Sequence, residues 1–186
     1  EDEARVAPKI RADACESATQ PQYKMPLPMI GATDEELFPA LNLVFVGYAC
    51  LIFLPQWRHT PALTLTVVTL YSAIYALLLV HRLALSPTPL PPISFDSLDH
   101  IAVLFADRAV LFAGWDHYIA FDLFVARHVL LDSQARGIPH LVVVGIVPLV
   151  LLAGPAGFVL YMVVVVPLHA ALCGGVVSGE KAAKAA

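Results

Sequence analysis

The stretch GWDHYIAFDLFVARHVLLD, residues 114–132, decides how this chain folds. It has the apolar content of a membrane-embedded helix, yet it carries Asp116, His117, Asp122, Arg127 and His128. An ionisable group near the centre of a bilayer costs at least about 2.5 kcal/mol. Such groups persist where they pair, ligate something or face a polar cavity. At ~100° per residue, Trp115 and Asp122 share one face of the helix, Asp116 and Arg127 a second, and His117, His128 and Asp132 a third. The polar residues therefore surround the helix, which is expected to lie buried among other helices. Asp122 and Arg127 each need a partner there. For Asp122 that partner is a cation, a donor such as Tyr71, Tyr75 or Tyr118, or a proton of its own. Arg127 has the further option of snorkelling to the interface. Trp115, Asp122 and Arg127 read either as an inter-helix polar clamp or as a contact for a pigment or lipid headgroup.

The rest of the chain fits that reading. Its 186 residues are 59% hydrophobic and 14% charged, with a mean hydropathy of +0.75. That is too apolar for an ordinary soluble domain. Apolar runs long enough to cross a bilayer are expected at residues 37–54, 63–83, 109–131 and 141–160, the last with a bent extension to 171. Pro148, Gly154, Pro155, Gly157 and Pro167 interrupt that last run, and two short segments breaking at Gly154 are the alternative. The first two spans, joined by a short connection, are expected to be antiparallel neighbours. Trp57 and Arg58 at that connection suit an interfacial anchor. Residues 86–92 hold four prolines and cannot be helical throughout.

In residues 94–105, Phe95, Leu98, Ile101, Ala102 and Phe105 recur at helical spacing. This predicts a short amphipathic helix, capped by Ser94 or Asp96. It lies either at the membrane interface or on the protein's own core. The fold class is thus all-α: an integral membrane bundle of four transmembrane helices, a short amphipathic helix and an extended N-terminal arm. The arm is residues 1–35, the bundle residues 36–172, and a polar tail residues 173–186. The arm is polar and proline-bearing and cannot bury enough apolar area to fold alone. It is expected to be the mature end left by a removed targeting peptide, and to lie along a partner.

The net charge of −4 offers no basic surface for nucleic acid. Cys15, Cys50 and Cys173 form neither a CxxC motif nor a disulfide pattern. No HxxxH, ExxH or CxxCH pattern occurs, so no dedicated metal centre is expected. Phosphate loops and nucleophile elbows are absent as well. A neutral imidazole near the membrane is a suitable donor to the metal of a tetrapyrrole. His81, His117, His128 and His169 lie in or near spans and are the candidate chlorophyll ligands.

Residues 115–127, WDHYIAFDLFVAR, resemble the core motif of the neoxanthin-synthase-like (abscisic-acid-deficient-four-like) plastid membrane proteins. In that family a Trp, a His two residues on, Asp-Leu-Phe and an Arg three residues later share one membrane helix. Trp115, His117, Asp122, Leu123, Phe124 and Arg127 match those places, and Asp132 matches an acidic residue that follows. The resemblance spans residues 37–161. It implies a chloroplast membrane protein tied to xanthophyll metabolism. Plant members are needed to convert violaxanthin to neoxanthin, which opens an epoxide and requires an acid and a base. By analogy Asp122, His117 and Asp116 would fill those roles.

Two functions follow as expectations. The first is a small multi-pass subunit of a photosystem with its antenna in the thylakoid membrane, where it would help assembly. It would bind chlorophyll, carotenoid and lipids, and contact photosystem or antenna subunits through its arm and amphipathic segment. The second is a carotenoid-epoxide isomerase of the neoxanthin-synthase type. A lipid-embedded scaffold without a ligand is a third reading.

Overall fold

The computed structural model describes residues 34–86 and 93–173. Residues 1–33 of the arm, with Cys15, residues 87–92 of the proline-rich loop and residues 174–186 of the tail lie outside the described residues. Within them the fold is all-helical. Helix α1 (Glu35–Phe53), α2 (Thr60–Leu85), α4 (Arg108–Arg136) and α6 (Gly154–Cys173) are long and apolar enough to cross a membrane. Helix α3 (Leu98–Ala106) and α5 (His140–Leu152) are shorter. Every other helix packs against α4, which explains why polar groups can stand all round it.

Local chemistry sets the helix ends. Asp107 caps α4, its Oδ1 accepting from the Ala109 and Val110 amides at 2.9 and 3.2 Å. Gly137 ends α4 with φ 71°, the left-handed conformation a glycine adopts freely. Ser97, rather than Ser94 or Asp96, caps α3 by accepting from the His100 amide. Only Leu104 of α3 is buried, while Leu98 is 80% exposed. Phe105 instead packs over Gly114 of α4. The α3 helix therefore shows most of its apolar surface outward.

The α1–α2 pair is antiparallel. The Thr60 hydroxyl donates to the Leu54 carbonyl at 2.6 Å, and the Tyr71 hydroxyl reaches the Ala40 and Leu41 carbonyls at 3.0 and 2.9 Å. Those two carbonyls lie beside or within the tighter 3₁₀ turns at Phe38–Leu43, where Pro39 withholds an amide. Glycine permits the close crossing of α1 and α4, because a Cβ at Gly47 would press on Leu123.

The expected span at residues 141–160 does not form as one helix. Pro148 is accommodated inside α5, but the chain breaks at Ala153 (φ −155°, ψ 73°). In a continuous helix the ring of Pro155 would collide with the carbonyl one turn back. Placed in the first turn of a new helix, it withholds an amide that would have no partner anyway. The helix of spanning length in this run is therefore α6, and α5 covers only about 20 Å at 1.5 Å per residue. A π-helical stretch, Leu160–Val165, precedes Pro167 in α6.

Candidate functional site

Helix α4 divides its polar residues between an inner and an outer set. Asp116 is fully buried, and neither carboxyl oxygen meets a donor among the described residues. The Tyr75 main chain lies against it, short of hydrogen-bond geometry. Asp122 is also buried, but towards the helix break. Its carboxyl fills the space beside Gly154, with Tyr118 as its side-chain hydrogen-bonding neighbour. Its Oδ2 meets no donor among the described residues. The Tyr118 hydroxyl spans the break and also reaches the Leu152 carbonyl at 3.2 Å.

Arg127 does not pair with Asp122. Five residues place the two roughly 140° apart around a helix. The Arg127 Nε instead donates to the Pro61 carbonyl at 3.0 Å, tying α4 to the first turn of α2. The expected clamp is therefore two separate ties to different neighbours. Trp115 stands apart from both, 47% exposed and stacked on Tyr118.

The outer set is a stripe. His117, Phe121, Phe124 and His128 are all exposed and recur at the three- and four-residue steps of one helix face. His117 stacks on Phe121, with centroids 4.5 Å apart, and lies 5.3 Å from the Tyr75 ring. Its ring nitrogens form no hydrogen bond among the described residues. His128 lies 6.0 Å from the Phe158 ring. Eleven residues separate the two imidazoles, about 16 Å along the axis. Asp116, Asp122 and His117 thus point three ways and do not converge on one reacting centre.

The other histidine candidates differ from this pair. His81 is half-buried on the π-helical end of α2. His169 faces Cys173, with Nε2 and Sγ 3.5 Å apart. Among the described residues no three His, Cys, Asp or Glu side chains cluster to hold a metal ion.

Several features carried no sequence signal. Glu35, Phe38, Pro39, Arg108, Leu111, Phe112 and Trp115 line an open groove of about 580 Å³ between the starts of α1 and α4. Arg108 and Glu35 meet there at 3.4 Å. Arg82, only 6% exposed, pairs with Asp107 at 2.6 Å. Burial pushes the Asp107 carboxyl up, but the Arg82 hydrogen bond, the amides it caps and the guanidinium charge together hold it below its ordinary value. The buried Tyr161 hydroxyl donates to Asp132 at 2.7 Å, and Arg136 donates to the same oxygen at 2.6 Å. The Asp107 cap was readable as an Asp before an apolar helix. The three pairings depend on which helices become neighbours.

A family model described as ABA4-like (ABA DEFICIENT 4-like) matches residues 36–161. No curated protein and no solved structure matches the chain.

Proposed function

This chain belongs to the ABA4-like family, and on that premise we propose that it is a pigment-binding subunit of a photosynthetic membrane assembly. Four apolar helices of spanning length fit a membrane protein. Family membership relates it to neoxanthin synthase and so to carotenoids. The observation that carries the subunit reading is the outer stripe of α4. An imidazole whose nitrogens have no partner among the described residues, held between aromatic rings on an apolar surface, suits an axial ligand to the metal of a chlorophyll. Phe121 and Phe124 offer ring and polyene contact alongside it. The membrane is that of the plastid thylakoid. The arm and the exposed apolar edge of α3 are where photosystem or antenna subunits and lipids would meet it.

In this reading the chain's own residues bind and position. The fused contacts of α4 with its five neighbours keep the stripe at a fixed place. Arg127 and Asp122 hold α4 to α2 and to the break, respectively. The carotenoid-epoxide isomerase reading has family membership in its favour, but the expected acid and base residues lie on different faces.

Gentle-detergent purification of the tagged chain, with pigments and co-migrating proteins identified together, tests this. Recovery within a large chlorophyll-bearing complex is expected. A small particle that holds xanthophyll alone and converts added violaxanthin would establish the isomerase instead.

A further inference from the structure

The helix break at Ala153 places oxygen atoms at the middle of the bundle with too few protons to satisfy them. Fourteen residues separate Asp122 from either end of α4, so its carboxyl sits at mid-span. It is 5% exposed, its Oδ2 has no donor, and it packs against Gly154, where α6 begins. The Leu152 carbonyl ends α5 and has no following helical turn to supply an amide. Two hydroxyls are at hand. Tyr118 has one proton to share between the Leu152 carbonyl and Asp122. Tyr48, buried on α1, lies close enough to Asp122 and Tyr118 for their charges to interact, and its hydroxyl has no hydrogen-bond partner among the described residues.

Two carboxylate oxygens and a carbonyl thus share the single proton of the Tyr118 hydroxyl. An ionised Asp122 would leave one uncompensated negative charge inside an apolar bundle, a costly arrangement. Oxygen donors with a single carboxylate match a hard monovalent cation. A divalent ion on this single carboxylate would leave a net positive charge buried there. A carboxylate and carbonyls at a broken membrane helix are also the donor set that binds alkali ions in other membrane folds. Tyr118, half-exposed, forms the edge from which the cluster is reached.

We propose that the Asp122 carboxylate, the Tyr118 hydroxyl and the Leu152 carbonyl at the α5–α6 break, with the buried Tyr48 nearby, form a binding site for an alkali-metal cation. The site is distinct from the outer stripe of α4 and stands whether or not that stripe holds a pigment.

The test is thermal unfolding of the purified full chain in detergent, followed by tryptophan fluorescence. Trp115, stacked on Tyr118, reports from the edge of the cluster. Sodium, potassium and lithium chloride are compared with N-methylglucamine chloride at constant ionic strength. One alkali ion is expected to raise the Tm saturably, by about 5 °C or more. Asp122→Asn should abolish the rise, Tyr48→Phe should move its midpoint to higher salt, and Asp116→Asn should leave it in place. Equal Tm values in all four salts would overturn the proposal, and so would a rise that persists in Asp122→Asn. The wild-type comparison decides even where a variant fails to fold.

Discussion

The carboxyl of Asp122 occupies the space in which a Cβ at residue 154 would lie. The helix break and the buried acid are therefore one feature, because α6 can begin there only with a residue that has no side chain. Alanine normally stabilises a helix relative to glycine. Here Gly154→Ala is expected to cost about 1–3 kcal/mol through overpacking. Pairing it with Asp122→Ala should recover part of the loss, measured as a coupling in thermal unfolding. A Gly154→Ala variant as stable as the parent would show that Asp122 can simply turn aside.

Gly157 gives a stricter case. A Cβ there would meet the main-chain nitrogen and Cα of Val150 at 2.7 and 2.9 Å. No side-chain rotation relieves that contact, so α6 would have to separate from α5. Gly157→Ala is expected to destabilise by about 3 kcal/mol, more than Gly154→Ala, and the ranking of the two in one unfolding series checks it.

Asp107 joins two jobs, capping α4 and pairing with the buried Arg82. Asp107→Asn keeps a cap and takes a charged hydrogen-bond partner from Arg82, at a cost of about 1.5–3 kcal/mol. Asp107→Ala should lose about 1 kcal/mol more with the cap. The folded carboxyl titrates below its ordinary value of 3.8. Its contribution is therefore complete above about pH 4 and is lost as pH falls through the lower folded value. Unfolding measured from pH 6 down to pH 3 should fall more steeply for the parent than for Asp107→Asn.

Asp116 is the opposite case. It is fully buried and its oxygens meet no donor, so it contributes no hydrogen bond to lose. Asp116→Asn or Asp116→Leu is expected to leave stability unchanged or raise it by about 1–2 kcal/mol. Stability retained with an altered pigment or xanthophyll composition would mark Asp116 as a functional residue held at a structural cost.

How far the sequence reveals this protein depends on the distance over which each feature is set. The span around residues 109–131 is legible because its apolar content is local. Its burial follows from polar residues on every face. Arg127 and Asp122 each find partners, but helical phase alone already separates them. The paired outcomes at the α5–α6 run turn on Pro155, since Pro148 and Pro155 look alike in sequence while only the latter breaks the helix. Arg82 with Asp107 and Tyr161 with Asp132 are 25 and 29 residues apart. They meet only once the helices have chosen neighbours, which no local pattern specifies. The direction of His117 and His128 is set the same way: seven-residue phase groups them with Phe121 and Phe124, but only packing shows that this face is the outer one.

The pigment content of a His117→Leu, His128→Leu double variant tests the central claim most directly. The outer imidazoles are exposed and make no hydrogen bond among the described residues, so the chain should purify at normal yield and unfold at the parent's temperature. Chlorophyll bound per chain should fall, with a changed absorption band, while single variants lose less. Unchanged chlorophyll and an unchanged spectrum in the folded double variant would contradict the account, because no other outward imidazole pair on α4 remains to carry the pigment.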